Sequence, residues 1–267
     1  MKRLETDVVI VGTGPGGATL ARELAGRGRE VVLLEKGRWH RMTLGRYASV
    51  GTITRIVIPR RGFGIMARGV SVGGSTVVFN GNAYDPPAWL KNDLGIDLSP
   101  HVQAARAEIG IRPLPQAFFE QWPGTRRVIE AAGELGLTLR PQDKYINPDL
   151  CDPRCDDCMI GCRRGAKWTA REYVAQASER GARLFDRTSA RRLILEGGAA
   201  KGVIVRGPHG FEEVRANKVV LAAGGMGTPV ILINSGVSGA GAGFFIDPMN
   251  VLWGLSRYPG PVREQTF

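Results

Sequence analysis

The sequence predicts an α/β fold with a parallel central sheet, a β-meander and an inserted region of helices and loops. Three observations predict it. Residues 1–36 run strand, glycine turn, helix, strand, acid. Residues 183–215 hold short runs rich in strand-forming residues, broken by glycine-containing turns. Lys218-Val219-Val220-Leu221-Ala222-Ala223 is a second buried-type strand that ends in small residues. It and the opening strand fit one parallel sheet whose C-terminal ends face a ligand.

The opening unit is the most specific. Thr6–Val11 is a β-branched run, and Gly12-Thr13-Gly14-Pro15-Gly16-Gly17 follows at once. A helical pattern covers Ala18–Arg27, and Val31-Val32-Leu33-Leu34 ends on Glu35. This is the order of a dinucleotide-binding βαβ unit. Gly12 allows the tight turn, Gly14 lets backbone approach a pyrophosphate, and Gly17 lets the helix pack close to the strand. The helix N-terminus directs its N–H groups and positive dipole end at the phosphates. Glu35, about 20 residues beyond the glycines, is placed to accept hydrogen bonds from ribose hydroxyls. An acid there repels a 2′-phosphate and argues against NADP. FAD and NAD both remain open on these residues.

Further along, a strand is expected at Ile53–Ile58, and Gly73-Gly74-Ser75-Thr76 opens a second small-residue turn. Ser99-Pro100 reads as the start of a helix to about Glu108. A longer helix is expected over Thr125–Leu135. Thr169 caps a helix over Ala170–Glu179 that Gly181 ends. Short strands are expected near Arg183–Phe185, Arg192–Glu196, Gly202–Arg206 and Glu212–Arg215. A helix over Thr228–Asn234 stops at Gly236.

Composition narrows the class. Apolar residues make up 43% of the chain and mean hydropathy is −0.10, as in a globular protein. No stretch reaches the roughly 20 apolar residues of a membrane span. The N-terminus has no signal-peptide core, so a cytoplasmic location is expected. The net charge of +11 comes from dispersed basic residues, and aromatics are only 7%, which argues against a nucleic-acid interface. A basic face could meet an acidic partner subunit.

Several segments then fall in one order. Gly12–Gly17 with Glu35 come first, then Gly73-Gly74-Ser75-Thr76 with Asn80-Gly81, Lys218–Gly225 with Thr228-Pro229, and Asp247-Pro248. In that order the chain resembles the glucose–methanol–choline (GMC) oxidoreductases, which are FAD-dependent. The likeness runs over most of residues 5–250 and is weakest between 86 and 145. It implies a Rossmann-like FAD-binding domain over residues 1–250, with an insertion over about 86–165, and shifts the cofactor from NAD to FAD. Residues 251–267 would begin a substrate domain or form a C-terminal tail. By position the resemblance places Gly12, Gly14 and Gly17 at the pyrophosphate and Glu35 at the adenosine ribose. Gly74, Ser75 and Asn80 would line the ribityl chain and isoalloxazine ring. Ala190, Ala222 and Ala223 would lie near the adenine end, and Asp247 and Pro248 near the flavin.

The resemblance also implies hydride transfer from a carbon bearing a hydroxyl, in an alcohol, sugar or sterol-like small molecule. Family members carry the catalytic base, usually a histidine, in a second region that follows. This chain has His40, His101 and His209, none at a matching place, so no catalytic residue is assigned. The expectation is an FAD-dependent dehydrogenase completed by a partner chain or a missing C-terminal half. The alternative is a non-catalytic flavin and iron–sulfur electron-transfer subunit.

All four cysteines lie in Cys151-x3-Cys155-x2-Cys158-x3-Cys162. In a reducing compartment such clustering points to metal rather than disulfides. Four thiolates at this spacing suit an iron–sulfur cluster. Structural thiols or disulfides, and zinc, also fit. Certain sugar dehydrogenases of the GMC kind bind an iron–sulfur cluster at this place, with different spacing at the first two cysteines.

Overall fold

The computed structural model describes residues 2–40, 54–57, 66–155, 157–158, 161–243 and 257–258. Asp247, Pro248 and most of the 251–267 segment therefore lie outside the described residues. In chain order the elements begin with β1 (Arg3–Val11), α1 (Pro15–Gly26), β2 (Val31–Leu34), β3 (Thr54–Val57), β4 (Met66–Gly69) and a 3₁₀ turn, Gly74–Val77. There follow α2 (Trp89–Asn92), α3 (Ser99–Ile109), β5 (Arg112–Pro113), α4 (Ala117–Glu120), α5 (Pro123–Glu134) and β6 (Asp143–Lys144). The last are α6 (Ala170–Glu179), β7 (Arg183–Phe185), β8 (Ser189–Glu196), β9 (Ala199–Arg206), β10 (Glu213–Leu221) and α7 (Gly224–Asn234). The chain divides into two compact units, residues 1–78 with 169–248, and residues 79–168 with 249–267.

The first unit is built on a six-stranded sheet in the order β7-β2-β1-β10-β9-β8. β7, β2, β1 and β10 run parallel, whereas β9 and β8 join antiparallel as a meander. β1 is enclosed at its C-terminal end, and all four residues of β2 are buried, as a parallel strand covered on both faces requires. Alternate residues then serve opposite faces. Val9, Val11, Val32 and Leu34 join Leu193, Val203, Val205, Val214, Ala216 and Ile231 in one core. The meander and α7 thus cover that face. The other face carries α1, which packs on β1, β2 and α6. Its buried positions are Gly17, Ala18, Ala21 and Ala25, so small side chains bring the helix close. Arg22 lies 3.8 Å over the ring of Tyr173 on α6.

Two sequence expectations change. Glu212–Arg215 and Lys218–Ala223 form one nine-residue strand, β10, not two. Its first half closes the meander against β9 and its full length pairs with β1. Ala216 and Asn217 continue the strand. Secondly, α7 starts at Gly224, before the expected Thr228. The helix Ala170–Glu179 is as expected. Thr169 and Glu172 form a reciprocal capping box, with Thr169 N and Oγ1 at 2.9 and 2.8 Å from Glu172 Oε2.

The second unit holds α2 to α5 and the short antiparallel pair β5–β6. Leu114, Phe119, Ile146, Cys158 and Ala166 form its core. Arg106 of α3 fastens the chain at two points, 2.8 Å from Asp85 and 2.6 Å from Asp143. Gly110, at φ 75°, ends α3 in the left-handed region. No helix among the described residues is long and apolar enough to cross a membrane.

Candidate cofactor site and cysteine loop

The glycine turn sits where β1 delivers its last residue to α1. Gly12 has φ 102°, and a Cβ on it would stand 2.4 Å from the Ala222 carbonyl oxygen. Only glycine fits there. A Cβ on Gly17 would stand 2.1 Å from Gly12 O and 3.2 Å from Ala222 Cβ. The Ala222 N–H donates to Val11 O at 2.8 Å. Ala222 and Ala223, which join β10 to α7, therefore lie directly against the first turn.

Gly14 differs. Among the described residues a Cβ there would meet nothing within 4 Å, and the same holds for Gly16. Gly14 is the N-cap of α1 and makes no side-chain capping bond. The helix thus presents its first N–H groups to open space, which suits an anion. Gly74 closes on this edge, because a Cβ on it would lie 2.9 Å from Gly14 Cα. The two turns that lie sixty residues apart in sequence are brought together at Gly14 and Gly74. Ser75 is exposed on the 3₁₀ turn, and its Oγ accepts the Gly69 N–H at 3.1 Å.

Glu35 is 7% exposed and accepts three hydrogen bonds, two from backbone and one from a side chain. Its Oε2 accepts from Thr13 N at 3.1 Å and Thr13 Oγ1 at 2.8 Å, and its Oε1 accepts from Gly37 N at 2.7 Å. Burial raises its pKa, and the hydrogen bonds from Gly37 and Thr13 oppose that rise. The sequence pointed to Glu35 but missed Thr13. Thr13 Oγ1 donates to Glu35 and accepts the Gly73 N–H at 3.2 Å. One hydroxyl thus links the glycine turn, the acid and the 3₁₀ turn. Nothing local marks it, since the glycine pattern specifies no residue type between Gly12 and Gly14. Thr76 extends the link: its Oγ1 donates to Gly73 O at 2.6 Å and accepts the Ala170 N–H at 2.9 Å.

Ala190 lies near the start of β8, opposite Val205. Two residues before it, Thr188 donates its N–H to Glu35 O at 2.7 Å, which ties that strand's start to the acid. Asn80 is half-buried in the second unit. Among the histidines, His101 and His209 are exposed, as expected, and His209 stacks near Phe211 and Phe185. His40 is buried at 3% exposure, although it follows a basic loop sequence. Burial and the nearby Arg171 and Arg38 lower its pKa.

The cysteine loop belongs to the second unit. None of the four cysteines is in a disulfide. Cys158 is in the apolar core, and Cys151 and Cys162 pack against the same core. Burial pushes the Cys158 thiol up to about 11; the nearby Lys167 ammonium lowers it and the neighbouring thiols raise it. Among the described residues no group of three or more His, Cys, Asp or Glu is placed to hold a metal ion. The structure thus gathers the expected ligands Cys151, Cys155, Cys158 and Cys162 into one loop without closing them into a ligand set. The side chains themselves, four cysteine sulfurs, have the softness that zinc or an iron–sulfur cluster requires.

A parallel sheet with a glycine turn feeding a helix N-terminus, and a buried acid ending the neighbouring strand, defines a dinucleotide-binding α/β protein. The family follows from comparison with known proteins. Residues 7–245 match the family described as GMC oxidoreductase, and the chain belongs to that family. GMC oxidoreductases bind FAD. An uncharacterized GMC-type oxidoreductase of Mycobacterium tuberculosis is 33% identical, over 93% of this chain and 42% of that protein. A cholesterol oxidase of the same organism is 28% identical, over 85% of this chain and 47% of its own length. A long-chain-alcohol oxidase of Arabidopsis thaliana is 25% identical, over 98% and 39%. The chain thus spans less than half the length of these relatives. The crystal structure of pyridoxine 4-oxidase from Mesorbium loti shares the fold, with a TM-score of 0.64 at 24% identity over 87% of this chain and 52% of the other.

Proposed function

We propose that this chain is the FAD-binding portion of an oxidoreductase that acts on CH–OH groups. The observation that carries the reading is the open space over Gly14 and Gly16, closed on one edge by Gly74, within a chain of the GMC family. Gly12, Gly14 and Gly17 would hold the pyrophosphate. Glu35 would meet the adenosine ribose through the second lone pair of Oε1, which its bond to Gly37 leaves available. Ala190, Ala222 and Ala223 would face the adenine end. Gly74, Ser75, Asn80, Asp247 and Pro248 would line the flavin end. Bound flavin supplies a hydride acceptor. The protein's task is to hold the substrate carbon against it and to take the hydroxyl proton.

The base for that proton comes, in this reading, from a C-terminal half or a partner chain. Two of these relatives bear names of alcohol oxidation, one on cholesterol and one on long-chain alcohols, which supports a small-molecule alcohol as substrate. A second reading rests on the clustering of the four cysteines, none of them in a disulfide: an iron–sulfur cluster at Cys151, Cys155, Cys158 and Cys162 would let electrons leave one at a time. A cytoplasmic location suits free thiols, which such a compartment keeps reduced.

The test is bleaching of bound flavin under anaerobic conditions with a panel of primary and secondary alcohols. Bleaching only after a complementary C-terminal polypeptide is added supports the split arrangement. Rapid bleaching by the isolated chain contradicts it. Absence of bleaching in both, with flavin still reducible by dithionite, favours the electron-transfer reading.

A further inference from the structure

Arg68, on β4, carries a guanidinium that the described residues leave unpaired. The residue is half-buried, and its Nε is enclosed with no hydrogen-bond partner. A buried donor without an acceptor is costly, and more so on a charged group. The neighbours of Arg68 place it at the edge of the glycine turn, within the first unit. Next along β4, a Cβ on Gly69 would stand 2.6 Å from Gly74 O and 2.9 Å from Ser75 Cα, and Gly74 in turn stands against Gly14. At the far end of the side chain, a Cβ on Gly227 would stand 3.7 Å from Arg68 Nη1 and 2.9 Å from Ala223 Cβ. Ala223 Cα would itself lie 3.0 Å from a Cβ on Gly12. The Arg68 side chain thus runs from the 3₁₀ turn to the first turn of α7, the two segments that flank Gly12 and Gly14.

Charge decides what such a group suits. The pyrophosphate of a dinucleotide carries two negative charges. The bare start of α1 offers roughly half a unit of positive charge. α7 offers about the same, since Ala223 makes no side-chain capping bond. Neither helix has an acid in its first turn. Two helix starts alone leave a dianion about half balanced, and one full positive charge beside them makes up the difference. A guanidinium also matches phosphate in shape, because its planar fork directs two parallel N–H groups at two oxygens. We infer that Arg68 binds the FAD pyrophosphate through its guanidinium and makes the site prefer a diphosphate-bearing ligand over flavin alone. Glycine at 227 keeps a side chain out of the space beside Nη1. The inference rests on the FAD reading of the glycine turn and adds to it a side chain that recognises charge.

The experiment follows FAD release from the loaded full chain by flavin fluorescence at several salt concentrations, and then displaces the FAD with ADP or with riboflavin. ADP carries the pyrophosphate without the flavin, and riboflavin the flavin without phosphate. The variants are Arg68→Met, Arg68→Gln and Arg68→Lys. Wild type is expected to hold FAD less tightly as salt rises and to exchange it for ADP. Arg68→Met and Arg68→Gln are expected to bind FAD and ADP about tenfold or more weakly, the usual effect of losing a charged hydrogen bond. Their dependence on salt should flatten, and riboflavin should compete as it does with wild type. Arg68→Lys is expected to recover part of the ADP affinity, because it keeps the charge and loses the fork. Arg68→Gln retains length and polarity and decides the matter if Arg68→Met does not fold. A merely structural Arg68 would lower the melting temperature of the variants and leave ADP affinity and salt dependence as in wild type; that result overturns the inference while the FAD reading stands. Variants that keep ADP affinity but shift the flavin reduction potential place Arg68 at the flavin end and overturn it equally. A wild-type chain that holds no FAD overturns the FAD reading, and the inference with it.

Discussion

Replacing Glu35 with Gln changes one atom at the centre of the cofactor site and has a calculable effect. The carboxylate accepts from two opposite sides, Thr13 N and Oγ1 on one oxygen and Gly37 N on the other. A carboxamide can accept on one side only. If its oxygen keeps the Thr13 pair, its NH2 faces the Gly37 N–H, and a buried donor is left unpaired. That costs about 1–3 kcal/mol, so a loss of about 2 kcal/mol and a melting temperature lowered by about 4–8 °C are expected. The pH dependence carries a definite sign. Burial raises the Glu35 pKa above its ordinary 4.5, so the folded protein keeps this proton to higher pH than the unfolded chain does. Wild-type stability from this group is full below 4.5 and is lost as pH rises through the folded value. Glu35→Gln has no such group. The gap between the two proteins is therefore widest at low pH and narrows as pH rises. Urea unfolding of the flavin-free chains across pH 4.5–8 measures it. Equal stability, or a gap that widens with pH, refutes the reasoning.

The glycines separate binding from folding. Gly14→Ala places its methyl in open space, so the unfolding free energy should fall by no more than about 1 kcal/mol, the N-cap difference between Gly and Ala, while FAD affinity, read by flavin fluorescence, falls at least tenfold. Gly17→Ala drives a methyl into Gly12 O, and overpacking of this kind costs about 1–3 kcal/mol; thermal melts of the flavin-free chain should show it. Thr13→Val keeps the shape but removes the hydroxyl between Glu35 and Gly73, with an expected loss of about 1–3 kcal/mol and faster amide exchange at Gly73. Thr169→Ala removes the capping box of α6 and should lower stability by about 0.5–2 kcal/mol with FAD affinity unchanged.

The parts of the fold readable from sequence are those fixed by neighbours along the chain. The βαβ opening, the α6 cap and the meander follow from strand-forming runs, turn residues and capping pairs within short windows. The continuity of β10 does not, because Ala216 and Asn217 look like a pause and become a strand only through pairing with β1. At the site, Gly12, Gly17 and Glu35 were legible because spacing alone places them. Thr13 was not, since its importance comes from Gly73, a partner that only the folded sheet brings near. Arg68 was equally silent, because arginine in sequence signals a wet surface, and its place beside Gly227 comes only from the packing of β4 near α7.

The central claim is that the glycine turn, the Thr13–Glu35 hydrogen bonds and the 3₁₀ turn form part of an FAD site. Titrating the purified chain with FAD, and separately with NAD, tests it most directly. The account predicts one FAD bound per chain, weakened by Gly14→Ala, and no comparable binding of NAD. A folded chain that binds NAD and leaves FAD free in solution would contradict it.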